Sequence, residues 1–143
     1  MAQISRSALV MYSCKQMFDL VNNVDAYPEF IPNCADAKTE ALTGTEVKGS
    51  LLIAKAGINK WFTTHNRLVG EEQIDMQLVN GPFKHLTGKW LFTKLDDNAC
   101  KVELKLDFEF SSKMVELAFG KIFNQVASNM VTAFSQRAKQ IYG

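Results

Sequence analysis

The stretch SSKMVELAFGKIFNQVASNMVTAFSQRAKQIYG, residues 111–143, decides the fold of this chain. No proline interrupts it from Lys113 to Tyr142, and Ser112 is a residue type that favours the N-cap position. Polar residues fill one side, and the apolar residues recur at intervals close to 3.6: Val115, Phe119, Ile122, Phe123, Val126, Ala127, Met130, Ala133, Phe134 and Ile141. This pattern predicts one amphipathic helix, roughly 45 Å long, that crosses a whole domain.

The residues before this helix alternate between apolar and polar. In CKVELKLDFEF, residues 100–110, every second side chain is apolar or a cysteine, which predicts a strand with one buried face and one wet face. Four earlier stretches alternate in the same way, with predicted inward residues Val47, Gly49, Leu51, Ile53, Phe62, Thr64, Asn66, Leu68, Ile74, Met76, Leu78, Leu86, Gly88, Trp90 and Phe92. Turn residues separate these stretches, so a meander of antiparallel strands is expected.

The N-terminal part is predicted to add two strands, at residues 3–11 and 36–42, and a helical stretch near residues 13–22. Between them lies the YPEFIP segment, residues 27–32, whose two prolines disfavour a continuing helix. The sequence therefore predicts an α+β fold. A curved antiparallel sheet of about seven strands wraps the long C-terminal helix, and short helices follow the first strand.

Composition narrows the class of protein. A chain of 143 residues, 47% hydrophobic and 22% charged, is expected to form one domain over residues 1–143. A formal net charge of +1 gives no general attraction to polyanions, and no DNA partner is expected. We see no signal peptide and no apolar run long enough for a membrane span, which predicts a cytoplasmic protein. Cys14, Cys34 and Cys100 form no CxxC pair, so reduced thiols are expected and no metal site.

Four stretches together resemble the coenzyme Q-binding START-like family, of the polyketide cyclase or helix-grip type. The resemblance runs over essentially the whole chain, and the pairing of YPxF with GPFxxLxGxW is its specific part. The matching stretches are YPEFIPNC (27–34), KAGINKWFTTHNRL (55–68), LVNGPFKHLTGKWLF (78–92) and LDFEFSSKMVELAFGKIF (106–123). Many members carry a tryptophan after the second proline, where this chain has Asn33.

The resemblance implies noncatalytic binding of a prenylated, ubiquinone-like quinone between sheet and helix, in support of respiration as a chaperone or carrier. No other cofactor is implied. It also implies an alternative, because the family includes a toxin of a toxin–antitoxin type system that binds the large ribosomal subunit and blocks subunit association. Both roles in one protein are a third possibility. The fold alone does not distinguish between these three possibilities.

Candidate ligand-binding residues follow from the inward faces and from the resemblance. Tyr27, Phe30 and Ile31 would form a cover over the ligand mouth, or would instead plug the end of the core. Thr64 and Asn66 would hydrogen-bond a ring carbonyl, or the small residues of the sheet would be filled by close packing against the helix. The complete candidate set is Tyr27, Phe30, Ile31, Leu51, Ile53, Thr64, Asn66, Met76, Phe83, Trp90, Leu104, Phe108, Phe119, Phe123 and Met130.

Other functional readings have less support in the sequence. The two histidines, His65 and His85, fall on the wet side of their strands, and no catalytic acid–base pair stands out for a cyclase-type activity. The hairpin around Ile58 is either an ordinary turn or a finger that touches the inner membrane surface transiently. For a ribosome contact the sequence offers only scattered lysines: Lys84, Lys89, Lys101, Lys105, Lys113 and Lys121.

Overall fold

Residues 2–143 are described by a computed structural model, and in this range the chain forms seven strands and two α-helices. Met1, the first residue of the predicted domain, lies outside the described residues. The strands are β1 Ala2–Val10, β2 Cys34–Ala41, β3 Glu46–Lys55, β4 Ile58–Val69, β5 Gln73–Asn80, β6 Phe83–Asp96 and β7 Ala99–Phe110. The helices are α1 Cys14–Asn22 and α2 Lys113–Tyr142, and a 3₁₀ helix covers Val24–Glu29.

The strands form one antiparallel sheet in the order β1-β7-β6-β5-β4-β3-β2. β2 to β7 therefore make the predicted meander, and β1 returns to pair with β7 over its whole length. Register shifts in the β2–β3, β4–β5 and β6–β7 pairs mark bulges or irregularities, which bend strands and increase their twist. The predicted START-like architecture, with its curved sheet and long C-terminal helix, is confirmed.

The long helix α2 begins where the sequence predicted. The Ser112 hydroxyl accepts a hydrogen bond from the Val115 amide at 3.1 Å, as an N-cap does. The buried face differs from the predicted stripe in the last turns: Val131 and Ala138 are buried, whereas Ile141 is half exposed. The prediction for Ile141 was wrong because the end of α2 has passed the sheet and lies beside α1, where the hydroxyl of the neighbouring Tyr142 donates to the Gln16 carbonyl.

A cluster of phenylalanines joins α2 to the sheet. Phe83 lies at its centre, with its ring centroid 5.0 Å from that of Phe123 and 5.3 Å from that of Phe110. Most of the ring pairs meet edge to face, an arrangement that adds about 0.5–1.5 kcal/mol per pair beyond area burial. The members of this aromatic cluster are Phe62, Phe83, Phe108, Phe110, Phe119 and Phe123.

The segment between β1 and β2 is more helical than the prolines suggested. Ser13 and Gln16 form a reciprocal capping box at the start of α1, which buries Met17, Phe18, Leu20 and Val21. Pro28 lies inside the 3₁₀ helix, where its missing N–H is tolerated in so short an element. Asn33 has φ +67°, a left-handed conformation that asparagine accepts more readily than most residues.

The glycines on the dry face do not all leave space. A Cβ at Gly88 would lie 2.4 Å from Leu106 Cδ2 and 2.8 Å from the Lys105 carbonyl oxygen, so neighbours already fill that position. At Gly120 the added atom would lie 3.3 Å from the Phe110 ring. Gly120 therefore permits close approach of α2 to β7 rather than a gap at a ligand path.

Replacing Gly88 with alanine is expected to destabilise the protein by about 1–3 kcal/mol, because a backbone carbonyl cannot move out of the way cheaply. Gly44→Ala is the matched control, since nothing lies within 4 Å of a Cβ there and its φ is not left-handed. Urea denaturation of both variants measures the difference in the free energy of unfolding. Equal stability of the two variants would contradict the packing described at Gly88.

Candidate functional site

A small apolar cavity lies between the inward face of the sheet, α2 and the 3₁₀ helix. Its volume is about 70 Å³. Its wall consists of Val24, Tyr27, Gly49, Leu51, Phe62, Thr64, Asn66, Met76, Leu86, Trp90, Leu104, Leu106, Phe123, Val126, Ala127 and Met130. The lining carries no carboxylate, histidine, cysteine or lysine, so its polar side-chain groups are those of Thr64, Asn66 and Tyr27 and the indole N–H of Trp90.

Most of the predicted ligand-binding residues share this wall, but several lie elsewhere. Those in the wall are Tyr27, Leu51, Thr64, Asn66, Met76, Trp90, Leu104, Phe123 and Met130. Ile53, Phe83, Phe108 and Phe119 are buried in the core around it, and Phe30 and Ile31 pack beside α2. A role in ligand binding stays a prediction for all of them.

The wall also contains residues outside the predicted set. They are Val24, Gly49, Phe62, Leu86, Leu106, Val126 and Ala127. Strand alternation had already placed Phe62, Gly49 and Leu86 on the inward face, and helical periodicity had done so for Val126 and Ala127. Only the position of Val24, carried by the 3₁₀ helix, had no periodic signal.

Thr64 and Asn66 are the buried polar pair of the cavity. They are neighbours on the inward face of β4, and the Thr64 hydroxyl donates to Asn66 Oδ1 at 2.7 Å. That bond leaves the amide nitrogen of Asn66 without a hydrogen bond among residues 2–143. The side chain therefore presents two N–H donors to an otherwise apolar wall, which suits a ligand with a carbonyl or another acceptor.

Tyr27 contributes its ring, and not its hydroxyl, to the cavity. The hydroxyl donates to the Val21 carbonyl at the end of α1, and burial raises the pKa of Tyr27 far above its usual value. The ring meets Phe134 of α2 edge to face, with centroids 5.2 Å apart. Tyr27 is thus fixed as a neutral wall residue, and its proton is not available for acid–base chemistry near neutral pH.

The rest of the YPEFIP segment packs against α2 and forms an ion pair with it. The Phe30 ring packs against Phe134 at 5.3 Å, and the Arg137 guanidinium lies over the same ring at 4.9 Å. Arg137 also pairs with Glu29 at 2.9 Å. Ile31 lines a separate cleft of about 140 Å³ against α2, and Val126 borders both this cleft and the cavity.

The size of the cavity limits what it holds as it stands. An engineered protein cavity of about 150 Å³ accommodates benzene, and this cavity has about half of that volume. A substituted quinone ring is larger than benzene. The cavity would therefore have to enlarge before it could hold a quinone, and Val126 lines both this cavity and the cleft at Ile31.

The outer face of the sheet places the lysines in two different environments. Lys84 pairs with Glu109 at 3.1 Å and Lys101 with Glu103 at 3.8 Å. In contrast, Lys89 and Lys105 stand directly opposite each other on β6 and β7, and neither forms an ion pair within residues 2–143. They line an open cleft of about 430 Å³. Its other polar residues are Gln3, Ser5, Thr87 and Asp107.

The remaining polar candidates lie away from the cavity. His65 pairs with Glu46 at 2.8 Å and His85 with Asp107 at 3.3 Å, both on the outer face.

The β3–β4 hairpin turns at Ala56 and Gly57, which both have positive φ, while Ile58 packs against the core. The tip of this hairpin therefore carries the small residues Ala56 and Gly57 and not the isoleucine.

Comparison with known proteins agrees with this architecture. Residues 10–135 match the model of the family described as polyketide cyclase / dehydrase and lipid transport. The chain belongs to this polyketide cyclase and lipid-transport family. The predicted resemblance is thereby confirmed, and so is its link to coenzyme Q-binding and ribosome-association relatives.

Two relatives of the chain within this polyketide cyclase and lipid-transport family differ in the function that their names give. Ribosome association toxin RatA from Vibrio cholerae serotype O1 is 58% identical over 143 residues, covering 100% of this chain and 99% of the relative. Coenzyme Q-binding protein coq10, mitochondrial, from Schizosaccharomyces pombe is 27% identical over 140 residues, covering 93% and 84%.

Family membership by itself does not assign an activity. The crystal structure of the Zhui aromatase/cyclase from Streptomyces sp. R1128 superposes with a TM-score of 0.78 at 15% identity, covering 99% of this chain and 98% of that one. At that identity the likeness shows the fold alone. The expectation of a noncatalytic protein stays a prediction.

Residues 2–143 were also compared with the requirements of a membrane-spanning helix and of a metal site. Neither α-helix there combines the length and the apolarity that a membrane span requires. The same residues contain no group of three or more His, Cys, Asp or Glu side chains arranged to hold a metal ion.

Thr64→Val is expected to lower the free energy of unfolding by about 1–3 kcal/mol, because it leaves Asn66 Oδ1 without its donor in an apolar wall. Thr63→Val is the matched control. Its hydroxyl contacts Ser50 at 2.6 Å on the outer face, where water replaces the lost bond, so the expected loss is below about 1 kcal/mol. Chemical denaturation compares the two, and a smaller loss for Thr64→Val than for Thr63→Val would contradict the assignment.

Proposed function

We propose that this chain associates with ribosomes, binding the large subunit and opposing its union with the small one. The observation that carries the proposal is the 58% identity to a ribosome association toxin over all 143 residues. The coenzyme Q-binding relative shares 27%. Ribosome association would place the protein in the cytoplasm.

The outer face of the sheet supports this proposal with a surface suited to ribosomal RNA. Lys89 and Lys105 lie opposite each other in the β6–β7 register, and like charges in that position are destabilising. On its other side, Lys89 stands opposite Asp75 of β5. The Asp75 carboxylate already pairs with Arg67 at 3.1 Å. A phosphate between the two ammonium groups would remove their repulsion, so the arrangement favours an anionic partner.

The hydrogen-bonding groups around the lysines fit the same partner. Ser5 stands opposite Lys105 on β1, and Thr87 and Gln3 border the cleft. Hydroxyl and amide side chains are common donors to the phosphate and sugar oxygens of nucleic acids. Asp107 is the acidic residue of the cleft, and it is engaged by His85.

The double charge reversal Lys89→Glu with Lys105→Glu is expected to weaken cosedimentation with large ribosomal subunits by about tenfold or more at low ionic strength. The logarithm of affinity falls with the logarithm of salt concentration by about 0.7–0.9 for each phosphate contacted. The slope of log affinity against log salt concentration should therefore also be smaller in the double variant, by about 1 to 2.

Lys94→Glu with Lys139→Glu is the matched control, because it changes the net charge equally at positions outside the cleft. This control should bind as the native protein does. Equal loss in both double variants would contradict the proposed surface. Failure of the native chain to cosediment at any salt concentration would contradict the function itself.

A second candidate function, quinone binding, is favoured by one specific observation. The Asn66 amide presents free donors inside an apolar cavity, and a quinone offers carbonyl acceptors on an apolar body. The coenzyme Q-binding relative at 27% identity supports it more distantly. Because the cavity is too small as it stands, it would have to enlarge before it could hold a quinone.

Organic extraction of natively purified protein, followed by mass spectrometry, is expected to yield an isoprenoid quinone if this second function holds. Asn66→Leu should then weaken quinone binding by about tenfold, the usual value of one buried hydrogen bond. Asn124→Leu, on the exposed side of α2, is the control and should bind normally. An empty extract, together with no rise in melting temperature on adding quinone, would rule the function out.

A further inference from the structure

Two cysteines that are far apart in the sequence meet in the folded chain. Cys14 opens α1 and Cys100 lies in β7, 86 residues later, yet their sulfur atoms are 2.9 Å apart. Both are free thiols, as is Cys34 in β2. A disulfide bond is about 2.05 Å long, so Cys14 and Cys100 need to approach by only about 0.9 Å to be bonded.

The two thiols differ in how far they are buried. Cys14 is half-buried and lines an open cleft of about 620 Å³, so it is the more accessible of the two cysteines. Cys100 is fully buried and its sulfur contacts that of Cys14. Burial, and then the hydrogen bond from Cys14, raise the pKa of Cys100 to about 12. Burial likewise raises the pKa of Cys34 to about 11.

Cys14 also has a defined position in the backbone. Cys14 is the first residue of α1, directly after the Ser13 N-cap. In exchange with disulfides the attacking species is a thiolate. The contact with Cys100 supplies the second sulfur, which separates this place from an isolated cysteine at a helix end.

We propose that Cys14 and Cys100 form a reversible intramolecular disulfide by exchange with low-molecular-weight disulfides such as oxidised glutathione. The Cys14 thiolate attacks one sulfur of the small disulfide and releases one small thiol. The Cys100 sulfur then attacks the Cys14 sulfur, and its proton passes to the second departing small thiolate. The protein loses two protons and two electrons, and the small disulfide gains them to become two thiols.

The bond would tie the start of α1 to β7. It would close a loop of 86 residues, and crosslinks of that span restrict the unfolded chain strongly. We therefore expect the melting temperature to rise by about 10 °C on oxidation and to return when excess small thiol is added.

The test is incubation of the native, folded chain with excess oxidised glutathione, followed by intact-mass and peptide mass spectrometry. The expected product has lost two hydrogens, retains one free thiol, and gives a crosslinked peptide that contains Cys14 and Cys100. Cys34→Ser is the control that should oxidise as the native chain does. Cys14→Ser should gain neither the crosslink nor the rise in melting temperature.

The outcomes against the proposal are equally distinct. A native chain that keeps all three thiols, or that stops at a glutathione adduct on Cys14, would overturn it. A crosslinked peptide that contains Cys34 would also overturn it. None of these readings depends on the variants folding, because the native chain alone decides them.

Discussion

The constraint on which the structure depends is that the inward face of the sheet must be covered, and α2 is the element that covers it. The phenylalanines of β6 and β7 meet those of α2 in the aromatic cluster, where Phe108 and Phe119 are completely buried. Each fully buried phenylalanine contributes about 1.5–3 kcal/mol. The strands, the covering helix and the cavity between them all follow from this single interface.

Much of this arrangement could be predicted from the sequence, because period-2 and period-3.6 patterns report burial directly. The alternation in residues 100–110 predicted both faces of β7 correctly, and the predicted stripe of α2 was correct at its buried phenylalanines, although it missed Val131. Periodicity could not foresee where the sheet stops, and so Ile141 was placed wrongly. It also could not show that Leu106 fills the space at Gly88, since that depends on the packing of side chains from separate strands.

The site was harder to predict than the fold. Alternation placed Thr64 and Asn66 inward, but only the structure shows that the first donates to the second and thereby aims an amide into the cavity. The lysines of β6 and β7 looked alike in the sequence. The structure separates them, because Lys84 pairs with Glu109 on the neighbouring strand and Lys101 with Glu103 on its own strand, whereas the register sets Lys89 against Lys105. The contact between Cys14 and Cys100 had no sequence signal.

The same two strands carry both candidate surfaces. Gly88 and Leu106 face inward as one register pair, and Lys89 and Lys105 face outward as the adjacent pair. Because successive side chains of a strand point to opposite faces, an external RNA contact and an internal ligand would not compete for the same atoms. Ribosome association, as proposed, would use the outer face of the sheet.

Covalent lysine footprinting of the chain, alone and bound to large ribosomal subunits, tests that claim most directly. If the outer face is the contact, Lys89 and Lys105 lose their reactivity in the complex, while Lys113 and Lys121 on α2 react as in the free chain. Unchanged reactivity of Lys89 and Lys105, with protection of Lys113 and Lys121 instead, would contradict it.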